Sequence, residues 1–93
     1  MDKEKYKFEL RRGNNLEDHF TATFQDARLR GDRLASRLGR TRLYAYNDKL
    51  LQWEMLGTFL GHMRYLNKWG EENIIKSDYS CLIRVIKTKE ATK

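Results

Sequence analysis

Between Ala27 and Arg42 the chain reads ARLRGDRLASRLGRTR, and Arg28, Arg30, Arg33, Arg37, Arg40 and Arg42 make up six of its ten arginines, against the single acid Asp32. A guanidinium is a planar, weakly hydrated fork of donors that meets a phosphate or carboxylate through two parallel hydrogen bonds. A run of them is suited to holding a polyanion. On a helix, Asp26, Arg30, Arg33, Arg37 and Arg40 follow one another at steps of four and three and share a face. Ala27, Gly31, Leu34 and Leu38 repeat the same steps one residue later, so the neighbouring face is apolar. The segment therefore reads as an arginine ridge laid on a core. Such a ridge recognises negative charge rather than base sequence.

Tyr44 and Tyr46, flanked by Arg42 and Asn47, are the aromatic residues best placed to stack on bases beside the ridge. Arg and Tyr together are also the composition of a protein-interface hot spot. Trp53 and Trp69 are assigned to packing. No catalytic set can be assembled. His19 and His62 have no H-x-x-x-H or C-x-x-C pattern around them. Cys81, the only cysteine, reads as a buried small hydrophobe. Glu17/Asp18 and Glu71/Glu72 fit helix-start and loop acids better than a dyad. No cofactor, metal site or enzymatic activity is expected.

A chain of 93 residues, 40% hydrophobic and 34% charged, is a single compact domain with a modest core. Its net charge of +6 favours acidic partners without choosing among them. The start, MDKEKYKFEL, lacks the apolar run of a signal peptide, and no stretch approaches the length of a membrane span. With one cysteine and hence no internal disulfide, the expectation is a cytoplasmic or otherwise intracellular protein without a membrane partner.

The elements that must position these residues follow from periodicity. Residues 5–11 alternate, Tyr6, Phe8 and Leu10 to one side and Lys5, Lys7, Glu9 and Arg11 to the other, which predicts a half-buried strand. Asn14 or Asn15 before Leu16, Glu17 and Asp18 reads as a helix cap. Leu16, Phe20, Phe24, Ala27, Gly31, Leu34 and Leu38 then support one long helix over about 15–38, stopped at Gly39. Residues 41–46 suit a short strand or the first turn of a second helix. Asn47-Asp48 is another cap signal, and Leu51, Met55, Phe59, Met63 and Leu66 form a stripe that predicts a central helix ending at Gly70. Gly57 and Gly61 would let another helix approach closely, with Gly31 of the first helix as the matching surface, the alternative being a homodimer contact. Residues 79–87 read as a strand, and 88–93 as a frayed basic tail.

His19 to Gln25, HFTATFQ, alternates like a strand. Read so, residues 19 to 56 resemble the ribbon-helix-helix DNA-binding proteins, whose short strand precedes two helices. The resemblance implies outward Thr21, Thr23 and Gln25, a first helix ending in LASRLGRT, and Gly39-Arg40-Thr41 as the junction to a second helix. Lys49 departs from that pattern, standing where the family buries a small residue.

The expected fold is thus α+β: strand, long helix, short connection or strand, central helix, strand, with a small two- or three-stranded sheet packed on two helices. The first and last strands should pair, completed by 41–46 or by strand addition across a homodimer. The expected function is a small non-enzymatic nucleic-acid-binding accessory protein. It would contact the phosphates of DNA or RNA, with little sequence specificity, through Arg28, Arg30, Arg33, Arg37, Arg40 and Arg42, beside Tyr44 and Tyr46. The alternative is an inhibitor or adaptor that docks on an acidic or nucleic-acid-binding surface of a larger protein.

Overall fold

The computed structural model describes residues 4–86. Its elements are β1 (Tyr6–Arg12), β2 (Asn15–Ala22), α1 (Phe24–Leu38), β3 (Thr41–Asn47), β4 (Gln52–Gly61), β5 (Arg64–Asn67), β6 (Glu72–Ile75) and β7 (Leu82–Arg84). The strands form one seven-stranded sheet in the order β2-β1-β3-β4-β5-β6-β7, every neighbouring pair antiparallel. β2 and β3 flank β1, and α1 carries the chain from one to the other across that strand. Among the described residues α1 is the only helix, so it covers one face of the sheet and leaves the other open.

This corrects the expected small sheet on two helices. The stretch predicted as a central helix is instead a turn, β4, a second turn, β5 and a third turn. Spacings of four suit a helix of period 3.6, yet of Leu51, Met55, Phe59 and Met63 only Met55 and Phe59 lie in β4, where the register shift at Leu43/Tyr44 sets Met55 opposite Tyr44 and Phe59 opposite Thr41, on different faces of the sheet. The chain breaks at Gly61, His62 and Met63, all with positive φ (93°, 54° and 67°). A turn with two left-handed residues joins antiparallel strands tightly, and His-Met is a costly choice for it. Side chains of α1 hold it in place: Ser36 Oγ accepts from the His62 amide at 2.9 Å and Asp32 Oδ1 from the Met63 amide at 2.8 Å. His62 is accordingly exposed in this turn rather than packed on a helix.

Of the two predicted helix caps, Asn14/Asn15 falls at the turn into β2 and Asn47 does its chemistry in a turn. Asn47 Oδ1 accepts from the amides of Lys49 (2.9 Å) and Leu50 (3.1 Å), closing the β3–β4 connection. Asn67 Oδ1 does the same for Trp69 (3.0 Å) and Glu71 (2.9 Å), and Gly70, with φ 82°, turns that hairpin instead of ending a helix. The predicted long first helix is also shortened. Residues 15–22 are strand β2, and Thr23 is the true cap, its side chain accepting from the Asp26 amide. The alternation of HFTATFQ was thus a strand signal, but β2 pairs with β1 of the same chain and a strand follows α1. The ribbon-helix-helix arrangement does not occur. Gly39, φ 101°, ends α1 with its amide on the Ala35 carbonyl at 2.8 Å.

The first and last strands do not pair: β1 lies between β2 and β3, and β7 pairs with β6 at the far edge. β7 is also shorter than the predicted strand over 79–87, whose last residue lies outside the described residues together with the tail 88–93. Cys81 precedes it and is exposed, not buried.

The core lies between α1 and the sheet: Phe8, Leu10, Ala27, Ala35, Leu43, Phe59, Tyr65 and Ile75 are all buried. The small residues of α1 bring it down on β4. A Cβ on Gly31 would stand 2.1 Å from the Phe59 ring, and one on Gly61 3.1 Å from the Ala35 carbonyl oxygen. These glycines do serve close approach, between a helix and a strand.

Candidate functional site

The burial of Ala27, Gly31 and Ala35 orients α1 and thereby sorts its arginines. Arg30, Arg33 and Arg37 fall on the outward face, as the helical spacing requires. Arg28 is turned sideways, half-buried, and its Nη1 donates to the carbonyls of Ser80 (3.0 Å) and Tyr79 (3.4 Å). It tethers the β6–β7 loop. Burial lowers its pKa, with Tyr65 and Cys81 acting in the other direction. Arg30 leans to β2, 3.3 Å from Asp18 Oδ2 and 4.3 Å above the Phe20 ring.

Taken across the sequence, six arginines have partners within the chain. Besides Arg28 and Arg30, Arg11 pairs with Glu9, Arg12 with Glu17 (3.2 Å) and the Leu38 carbonyl (2.8 Å), Arg64 with Glu72 (2.9 Å) and Arg84 with Glu71 (3.0 Å). The remaining four, Arg33, Arg37, Arg40 and Arg42, make no hydrogen bond or ion pair among the described residues. All four are exposed. Exposed pairs contribute little to stability, so what matters here is which guanidiniums stay free to meet another molecule.

The free four lie in one run of chain, yet not on one face. After Gly39 ends the helix, Arg40 stands in the connection to β3. Thr41 is fully buried, its hydroxyl donating to the Gly39 carbonyl at 2.9 Å. Strand alternation then sends Arg42 to the opposite side of the sheet from α1. The run therefore passes from the outer face of the helix, round the end of the sheet, onto the open face. Six arginines on a single ridge are not what the fold assembles.

On that open face the alternation of β1, β3 and β4 gathers Lys7, Glu9, Arg11, Arg42, Tyr44, Tyr46 and Trp53. Arg11 and Arg42 are direct cross-strand partners, as are Glu9 and Tyr44. Like charges set opposite one another repel. Arg11 is balanced by Glu9, whose Oε1 accepts from its Nε at 2.8 Å, and its guanidinium lies 4.2 Å from the Tyr44 ring centroid. Arg42 has no such compensation. Lys7 sits over Tyr46 at 5.7 Å, and Trp53 meets Tyr46 edge-on with centroids 5.2 Å apart. One face of each tyrosine is thus engaged by a cation from β1. Trp53, assigned from the sequence to packing, is only half-buried here, and Trp69 is 74% exposed at a turn.

Two recesses open along β1 on this face. One, of about 430 Å³, lies among Arg11, Leu16, Arg42 and Tyr44. The other, of about 420 Å³, lies among Lys7, His19, Thr21 and Trp53. Glu9 lines both. Sequence reasoning left Lys7, Glu9, Arg11 and Trp53 out of the site. The alternation of residues 5–11 did put the first three on the polar side of a strand, but the aromatic wall beside them depends on the β1–β3 and β3–β4 pairings.

The groups whose titration is shifted lie away from this face, beneath α1 and in the β6–β7 loop. Burial pushes the Tyr65 phenol up to about 12, against the pull of Arg28. Tyr79 is raised by desolvation and by Asp32, which accepts from its hydroxyl at 3.2 Å. Asp78 is lowered by its hydrogen bonds with Ser80. Of these, Tyr79 fastens the β6–β7 loop to the helix through Asp32, while Asp78 closes a turn within the loop. Among the described residues no group of three or more His, Cys, Asp or Glu side chains is placed to hold a metal ion, and no helix is long and apolar enough to cross a membrane. Comparison with protein-family models, with curated proteins and with solved structures finds no match to this chain.

Proposed function

We propose that this chain is a non-enzymatic nucleic-acid-binding protein that holds phosphates along the run Arg33, Arg37, Arg40 and Arg42. The supporting observation is the division of the arginines: every one outside this run has a partner within the chain, and these four have none among the described residues. Guanidiniums left unpaired and exposed on a chain of net charge +6 are available for charge-assisted bonds to phosphate.

Fluorescence anisotropy with labelled oligonucleotides tests the reading. Four phosphate contacts give log K against log[salt] a slope of about −2.8 on a single strand, or about −3.6 on duplex DNA. Between about 50 and 200 mM salt, affinity for a single strand should fall roughly 50-fold. Reversing Arg33 and Arg37 to Glu should abolish binding while the circular dichroism spectrum and melting curve stay near wild type, both side chains being exposed. Binding that ignores salt, or that survives the reversal, would refute it.

A second reading, docking on an acidic protein surface, draws on the other half of the open face. There Ile74 and Ile83, cross-strand partners, are 46% and 51% exposed. The patch lies on β6 and β7, three and four strands from Arg42 on β3, and an exposed apolar patch on a basic chain suits a protein interface. Under that reading the oligonucleotides would not bind even at low salt.

A further inference from the structure

The arginine run ends at Arg42, which lines the first of the two recesses, and the second recess continues from it along β1. We infer that this groove is a binding site for unpaired bases, so that the partner is a single-stranded nucleic acid whose backbone follows Arg33 to Arg42 and whose bases enter the open sheet face. The inference rests on the nucleic-acid reading above and adds the strand form and the side chains that receive the bases.

Three features carry it. From Arg11 to Lys7 the groove floor spans four residues, about 14 Å of extended strand, with one recess at each end. Each recess is of the size that holds a small flat ligand, and a base reaches such a recess only when it is unpaired and splayed from its neighbours. Second, an aromatic surface is waiting. Trp53 is half-buried, held edge-on by Tyr46, and lines the recess beside Lys7, His19 and Thr21. Every base has a face that can stack on an indole, so the contact tolerates any sequence. Tyr44, with the Arg11 guanidinium over one ring face, forms a wall of the first recess, and Tyr46, with Lys7 over it, braces Trp53 from behind instead of serving as a stacking platform.

Third, the charges set the direction of the strand. Glu9 faces both recesses, with Oε1 committed to Arg11. A carboxylate there repels phosphate but accepts hydrogen bonds from the amino edge of a base. The backbone is therefore kept to the Arg40–Arg42 side while the bases point inward. A duplex, with its bases paired and stacked, has nothing to offer the recesses and would meet only the arginines.

The experiment uses the full chain carrying Trp69→Phe, which leaves Trp53 as its sole tryptophan; Trp69 is exposed, so the fold should be kept. Single-stranded and hairpin oligonucleotides of equal length are titrated at low salt, following Trp53 emission and the anisotropy of a label. The expected result is quenching of Trp53 by the single strand and at least a roughly 10-fold preference for it over the hairpin. Trp53→Ala should lower single-strand affinity roughly 5- to 150-fold, the range for removing one base–aromatic stack, with little effect on hairpin binding. Equal affinity for both forms, or single-strand binding that leaves Trp53 emission unchanged, would overturn the groove and spare the phosphate reading. Failure of both oligonucleotides to bind would remove both.

Discussion

Replacing Gly31 with alanine should destabilise this protein even though it improves the helix. In a helix interior alanine is favoured over glycine by about 1 kcal/mol, and Gly31 lies in the middle of α1 with ordinary helical geometry. Its α-carbon, however, faces Phe59. An added Cβ would stand 2.1, 2.3 and 2.6 Å from three ring carbons, whereas ordinary contact begins at 3.4 Å. Helix and ring must therefore part by more than 1 Å. The ring has nowhere to go: Phe59 is fully buried, packs on Tyr65 with centroids 5.0 Å apart, and belongs to the one cluster that joins α1 to the sheet. Overpacking of that kind costs about 1–3 kcal/mol. With the ring enclosed on all sides the upper part of that range applies, about 2–3 kcal/mol; after the helical gain of about 1 kcal/mol a net loss of about 1–2 kcal/mol remains, which for a domain of this size lowers Tm by roughly 5–15 °C. Thermal unfolding followed by circular dichroism reads it directly. Phe59→Leu supplies the control, since a smaller side chain makes room for the methyl group; the double variant should be less destabilised than the sum of the two single ones. A melting temperature equal to or above wild type for Gly31→Ala would refute this account of how α1 meets β4.

Two further outcomes follow from the network under the helix. Asp32 is buried and serves both the Met63 amide of the β4–β5 turn and the Tyr79 hydroxyl, so Asp32→Ala should lower stability by about 2–4 kcal/mol in urea unfolding; a loss below about 1 kcal/mol would mean that the turn stands without it. Tyr65, its pKa raised from 10.0 to about 12, holds its proton more tightly in the folded state than in the unfolded chain. Its contribution, about 3 kcal/mol, is whole below pH 10 and is lost as the pH climbs through about 12. The urea midpoint should fall steeply over that window, and Tyr65→Phe should flatten the fall.

The sequence by itself determined the local chemistry. It identified β1 and its two faces, the arginine-rich helix with its apolar side on Ala27 and Gly31, and the stop at Gly39. These depend on residues within a turn or two of one another, and the structure keeps them. What it left open was the partner each segment would find. Leu51, Met55, Phe59 and Met63 have helical spacing, yet only Met55 and Phe59 lie in a strand, on opposite faces of it. The choice fell to strand because Asp32 and Ser36 of α1, some thirty and twenty-six residues earlier in the chain, catch the amides of a strained turn after Gly61, and because Gly57 leaves space for the Tyr65 hydroxyl that a Cβ would meet at 2.2 Å. The site divided in the same way. That Arg33, Arg37, Arg40 and Arg42 are arginines is a property of the sequence. That these four lack a hydrogen bond or ion pair while the other six have one, that the run turns from the helix onto the open sheet, and that Trp53 stands on that same face were decided by tertiary structure, since ion pairing and strand register join residues far apart in the chain.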